Sequence, residues 1–191
     1  MTSIGLLGTI DAGKTATFVL FMDYVKKTGH KIIQGNPGGI AQNMTLTVDF
    51  IRFTWKGQMH TLYGTGGHKK QITEYYRKYV LNTAEQFLVI IDLGEPLKAQ
   101  LDFFEQLMPL STQAVTVNYN KWDLPRAKEN FGNYEPMVNE FLQQHSLRIA
   151  EQFLTVAVRK KPYQVENENC VRSILRMCEP RAEDPFKIWE L

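Results

Sequence analysis

Eight residues near the amino terminus restrict the fold of this chain more than anything else in it. Gly8-Thr9-Ile10-Asp11-Ala12-Gly13-Lys14-Thr15 fits the pattern G-x-x-x-x-G-K-[ST]. An apolar run over residues 3–8 leads into it, and Phe18, Met22 and Val25 behind it step at helical spacing. A strand that ends in such a loop and reopens as a helix begins a βαβ unit, and such units build a mainly parallel sheet. The glycines let the backbone curl until successive N–H groups face one point, and the helix dipole adds to their field. A nest of this kind holds a polyphosphate, here at Asp11, Ala12, Gly13, Lys14, Thr15 and Ala16. Lys14 would bridge the terminal phosphates and the Thr15 hydroxyl would sit on Mg²⁺. The plainer alternative is a glycine-rich turn with an incidental lysine.

The rest of the chain keeps the alternation. Residues 29–44 carry Gly29, Gly35, Pro37, Gly38 and Gly39 and read as a long, flexible excursion. Segments 47–54 and 58–63, flanking Trp55-Lys56-Gly57, form a hairpin, the one antiparallel feature. Residues 69–81 are helical. Phe87-Leu88-Val89-Ile90-Ile91 is a continuous apolar run, as a strand covered on both faces should be. Leu97, Leu101, Phe104 and Met108 mark the next helix. Strands at 114–117 and 153–158 enclose a helix at 136–145, and a last helix turns Val171, Ile174, Leu175 and Cys178 inward before Pro180. The expected architecture is a three-layer α/β sandwich: a six-stranded, mostly parallel sheet with one antiparallel edge strand, and about five helices. One domain spans 1–179, followed by a polar tail at 180–191.

Composition excludes several classes. The chain has 191 residues, with 22 Lys and Arg against 20 Asp and Glu, a net charge of +2. That leaves no basic field for nucleic acid or an anionic membrane. Hydrophobic residues at 43% and charged residues at 22% describe a globular chain. Two cysteines, Cys170 and Cys178, suit a reducing compartment as buried thiols. Without a signal peptide, an apolar run of 18 residues or a lipidation signal, the expectation is a cytoplasmic protein with no membrane anchor.

A second motif, Asn120-Lys121-Trp122-Asp123, closes the strand begun at 114. It falls on the same carboxyl edge of the sheet as the phosphate loop, where ligands of open α/β sheets bind. A carboxylate at Asp123 can accept both N–H groups of guanine, at N1 and N2, and so select it over adenine. The Lys121 stem can cover the purine face, while Asn120 can donate to the base or tie neighbouring loops. The bland alternative is a polar loop closed by Leu124-Pro125.

On these two motifs the chain resembles P-loop GTPases of the small, Ras-like kind, over residues 3 to about 178. It is most similar to prokaryotic gliding-polarity (MglA-like) and conservon-type small GTPases. The G-x-I-D-x-G-K-T loop and the Gly67-His68 pair also resemble translation elongation factors. The resemblance implies a Ras-like G domain that binds GTP or GDP with Mg²⁺. Thr45-Leu46-Thr47-Val48-Asp49-Phe50 resembles the family's T-I-G-V-D-F. It implies that Thr45, with Thr47 as second choice, reaches Mg²⁺ when the γ-phosphate is present. Two β-favouring threonines at a strand start are the alternative. In Gly64-Thr65-Gly66-Gly67-His68, Gly67 fits the glycine whose N–H meets the γ-phosphate. His68 fits the residue that orients the attacking water, or else is an exposed loop histidine beside Lys69 and Lys70. Ala157 stands near the family's S-A-K alanine, a base contact, or is a packed strand residue.

Departures temper the match. Gly64 stands where the family has an aspartate that holds Mg²⁺ through water, and its loss should weaken metal binding about tenfold or more. Residues 29–47 contain no arginine, only Lys31, so the charge stabilisation an arginine supplies is missing. The expected function is a GTP/GDP molecular switch with slow Mg²⁺-dependent hydrolysis. A GTPase-activating or exchange protein and an effector would read it, with the gliding-polarity likeness suggesting a roadblock-fold regulator. Alternatives are a non-hydrolysing GTP-binding scaffold, a P-loop kinase (which leaves 120–123 unexplained) and a detached translation-factor-type domain.

Overall fold

The computed structural model describes residues 1–36, 48–65, 80–159 and 161–179. The predicted helix at 69–81, the glycine-rich stretch beyond 36 and the tail at 180–191 lie wholly or largely outside them.

Its sheet has seven strands: β1 (Thr2–Leu7), β2 (Ile32–Asn36), β3 (Val48–Trp55), β4 (Gln58–Thr65), β5 (Gln86–Asp92), β6 (Ala114–Asn120) and β7 (Arg148–Leu154), in the order β2-β3-β4-β1-β5-β6-β7. Neighbours from β4 through β1, β5 and β6 to β7 pair in parallel. Only β3 runs against the rest, antiparallel to both β2 and β4. The extra strand, β2, falls inside the stretch expected to be an irregular excursion. As an edge strand with one neighbour it needs no long apolar run, and the surrounding glycines hide it. It also moves β3 off the edge position expected for it.

Four α-helices are described: α1 (Lys14–Lys27), α2 (Leu97–Glu105), α3 (Ala127–Gln144) and α4 (Gln164–Met177). Successive strand residues feed opposite layers. Leu7, Val89 and Ile91 pack with Leu97, Phe104, Val138 and Leu142 on the α2 and α3 side. Leu6, Leu88 and Ile90 pack with Phe18, Phe21, Ile174 and Met177 on the α1 and α4 side. Ile4, Leu6, Phe87, Leu88, Ile90 and Ile91 are fully buried, each contributing about 1.5–3 kcal/mol of hydrophobic stabilisation. The core therefore holds the middle strands rigid beneath their carboxyl ends.

Other boundaries moved for local reasons. Helix α3 begins at Ala127 and carries Pro136 inside it, although proline favours a first turn. Strand β7 runs Arg148–Leu154, not 153–158: the Thr155 N–H makes the last bond to β6, at the Tyr119 carbonyl, and the Val156 N–H then turns away to the Glu166 carbonyl. The β3–β4 hairpin turns on Lys56 and Gly57, both at positive φ (48° and 76°), a geometry matched to strand twist. Cys170 and Cys178 are buried and unbridged, and burial pushes both thiols up to about 12. Among the described residues no helix is long and apolar enough to cross a membrane.

His60, fully buried in β4 beside the Phe53 ring, predicts a pH dependence of stability. Burial, and then the nearby N-terminal amine, hold its imidazole below the ordinary 6.5, with the Trp55 backbone only partly offsetting them. The unfolded chain then takes up a proton near pH 6.5 that the fold resists. Stability is full above that pH and declines below it. Thermal melts between pH 7.5 and 5 should show this decline, and His60→Phe should flatten it; an unchanged slope in the variant would refute the assignment.

Candidate functional site

The carboxyl ends of β1, β6 and β7 deliver three loops to one place. A cavity of about 540 Å³ opens there, lined by Asp11, Gly13, Lys14, Thr15, Ala16, Asn120, Lys121, Asp123, Leu124, Val156, Ala157 and Val158. Residues more than a hundred positions apart thus share one wall, as the two sequence motifs require if they serve one ligand.

The loop after β1 is shaped by backbone conformation. Asp11 lies at φ 60° and Gly13 at φ 99°, both left-handed. Aspartate tolerates that region better than most residues. Gly13 has no substitute, since a Cβ there would lie 2.1 Å from Asn120 Nδ2. The Thr17 N–H donates to the Gly13 carbonyl, so α1 starts directly from the curl. Lys14 is 6% exposed, and its Nζ donates to the Gly8 carbonyl at 2.9 Å and the Thr9 carbonyl at 2.5 Å. Burial pulls the ammonium down to about 8, against an opposing pull from Asp11.

Asn120 joins the three loops. Its Nδ2 donates to the Ala12 carbonyl at 2.8 Å, and its Oδ1 accepts the Ala157 N–H at 3.1 Å and the Thr155 hydroxyl at 3.3 Å. Of the two uses open to Asn120 from sequence, the structure shows it tying loops. Ala157, left between base contact and strand packing, is on the cavity wall and outside β7. From the far side, Asn167 of α4 donates through Nδ2 to the Val156 and Val158 carbonyls. The Trp122 N–H donates to the Thr155 carbonyl, and the Trp122 ring meets Phe131 of α3 edge-on at 5.9 Å.

Sequence reading missed Leu124, Val156 and Val158, which line the cavity, and Asp92, whose carboxylate pairs with Lys121. The signal for Asp92 was present: a carboxylate closes the apolar run of β5 at the ligand-bearing edge. Gly64 is buried near the end of β4, opposite Asp49 in the register. A Cβ on it would make ordinary contacts with Leu6 and Phe18 at 3.8 Å. Thr45, Thr47, Gly67 and His68 lie outside the described residues.

A parallel α/β sheet with a G-x-x-x-x-G-K-T loop and an N-K-x-D loop meeting over one cavity defines the P-loop GTPase class. The sequence profile of the Elongation factor Tu GTP binding domain family matches residues 1–180. The chain belongs to that family and is a GTP-binding G domain of the elongation factor Tu type. A search of curated protein sequences returned no match.

Solved structures share the fold. The translation elongation factor SelB of Methanococcus maripaludis, in complex with the GTP analogue GppNHp, superposes with a TM-score of 0.60 at 18% identity, over 93% of this chain and 33% of that one. The bacterial selenocysteine-specific elongation factor EF-Sec gives 0.62 at 15% identity, over 96% and 29%. The G domain of the Thermotoga maritima (T. maritima) FeoB iron transporter gives 0.52 at 18% identity, over 94% and 99%. The chain thus spans about a third of the length of the two elongation factors and nearly all of the separate G domain.

Proposed function

We propose that this chain is a guanine-nucleotide switch that holds GTP or GDP with Mg²⁺ in the cavity, hydrolyses GTP slowly and is read by partner proteins. The observation that carries this reading is the single cavity shared by the phosphate loop and the 120–123 loop. The loop amides and Lys14 would take the phosphates, Asp123 the guanine N1 and N2 protons, and the Lys121 stem with Leu124 and Val158 the purine faces. Asn120 would act by holding Ala12 and Ala157 in register, and Ala157 would close the base end.

The residues present suit Mg²⁺ as part of a nucleotide complex and not as a free ion. Thr15 offers a hydroxyl oxygen beside Lys14, and Mg²⁺ is usually held by few protein oxygens plus substrate phosphates. Among the described residues no group of three or more His, Cys, Asp or Glu could hold a metal alone. Gly64 adds no carboxylate. Bound Mg²⁺ would supply charge neutralisation at the phosphates. By the family resemblance Thr45 would complete its shell, Gly67 would contact the γ-phosphate and His68 would align the attacking water. With no arginine at 29–47, an activating partner would supply the missing charge, a roadblock-fold regulator if the gliding-polarity likeness extends that far.

The test is base selectivity. GTP and GDP should bind at least a hundredfold more tightly than ATP and ADP. Asp123→Ala should cost about 2–4 kcal/mol against GTP and leave ATP binding nearly unchanged, as loss of a charged hydrogen-bond acceptor requires. Equal GTP-over-ATP selectivity in wild type and variant would remove Asp123 from the base site. Gly64 favours a second reading, a scaffold that binds GTP without cleaving it. Mg²⁺-dependent phosphate release in a single turnover separates the two.

A further inference from the structure

We infer that Asp92 is a positioning residue for the base pocket: its buried carboxylate anchors the Lys121 ammonium so that the lysine stem is held as a wall of the cavity. This rests on the guanine-nucleotide reading of that cavity and deepens it.

Asp92 ends β5 and is fully buried, with one carboxylate oxygen 2.6 Å from Lys121 Nζ. The other accepts the Gly94 N–H at 2.7 Å. Its backbone is clasped on both sides by one side chain, Gln100, itself 1% exposed. The Asp92 N–H donates to Gln100 Oε1, and Gln100 Nε2 donates to the Asp92 carbonyl, both at 2.8 Å. The carboxylate therefore has one orientation.

The loop that carries it is braced in turn. Asn130 Nδ2 and the Tyr134 hydroxyl, both from α3, donate to the Leu93 and Glu95 carbonyls. The Leu93 N–H donates to the Asn120 carbonyl. At Gly94 a Cβ would stand 2.7 Å from Leu124 Cδ1 and 3.2 Å from Asp92 Oδ1, so this loop lies directly against the 120–124 loop.

Lys121 shows the other half of the device. It lies at φ 65°, a left-handed backbone that lysine rarely adopts, and its side chain is 32% exposed. A lysine on a surface loop ordinarily extends into water to keep its ammonium solvated. This one turns its head onto the buried Asp92 carboxylate while the residue lines the cavity. A buried carboxylate paired with a single cation is weak evidence for stability, since desolvation offsets the attraction. Its effect here is geometric. A stem fixed before the ligand arrives loses no rotamer freedom on binding, which is the affinity gain of preorganisation.

The prediction separates base from phosphates. In Asp92→Asn the affinity for GDP, by isothermal calorimetry with Mg²⁺, should fall at least tenfold, while inorganic pyrophosphate binds as to wild type. Lys121→Met keeps the stem but removes its anchor and should give the same base-dependent loss. The double variant should be no worse than either single one. If Asp92→Asn does not fold, Lys121→Met alone decides, and unaltered GDP affinity in it overturns the proposal. An equal loss for GDP and pyrophosphate also overturns it, because the role would then be general support. A wild type that binds ADP as well as GDP sinks the guanine reading instead, a result visible before any variant is made.

Discussion

Lys14→Ala abolishes nucleotide binding, and in the unaltered protein GDP affinity falls about tenfold between pH 7 and pH 9: both are expected from the state of this one ammonium group. In the fold it is buried, tied to the Gly8 and Thr9 carbonyls, and held at about 8 by that burial. Polyphosphate brings several negative charges to it in a poorly solvated pocket, where opposite charges interact far more strongly than in water. Its pKa must rise on binding. Below pH 8 the lysine is charged in both states and binding takes up no proton from it. Above pH 8 the free protein has lost the proton that the complex retains, so each further pH unit costs about a factor of ten until the pKa of the complex is reached. Calorimetry at pH 7, 8 and 9, with buffers of different ionisation enthalpy, measures both the affinity and the proton uptake. A flat profile, or tight binding by Lys14→Ala, would mean that Lys14 does not touch the ligand.

How much of this was legible in the sequence depends on what fixes each feature. The phosphate loop was readable because its chemistry is local: glycine for positive φ, lysine and threonine at set positions after it. Strand β5 was readable because burial on both faces favours a continuous apolar run, whereas β6 was read only as far as Val117 because it also buries Asn118 and Asn120. Edge strand β2 was hidden, since Ile32 to Asn36 pairs on one side only and sits among glycines. The end of β7 was misplaced because Thr155, Val156 and Ala157 look like strand residues. Past the last ladder bond, from Thr155 to Tyr119, the Val156 and Ala157 N–H groups are taken by the Glu166 carbonyl and by Asn120 Oδ1, partners 10 and 37 positions away, which no local pattern encodes. The ion pair between Asp92 and Lys121 was out of reach for the same reason.

The largest structural effect should come from the smallest change, Gly13→Ala. An alanine methyl would stand 2.1 Å from Asn120 Nδ2 on a backbone at φ 99°. Left-handed alanine alone costs about 1–2 kcal/mol. The contact cannot be met without moving Asn120, whose amide is committed to Ala12 on one side and to Ala157 and Thr155 on the other. Breaking those buried bonds costs about 1–3 kcal/mol more for each group left unpaired. All three of these partners lie in the loops that frame the cavity, so the loss is expected as nucleotide affinity down by a hundredfold or more, with the sheet intact. Gly57→Ala is the matched control. Its φ is +76° but no atom lies within 4 Å of the added methyl, so it should lower stability by about 1 kcal/mol and leave GDP binding unchanged. If the two variants bind alike, backbone strain explains Gly13 and the Asn120 junction does not. If only Gly13→Ala loses the nucleotide, the loss belongs to the junction of the phosphate loop with Asn120 and not to left-handed backbone strain alone.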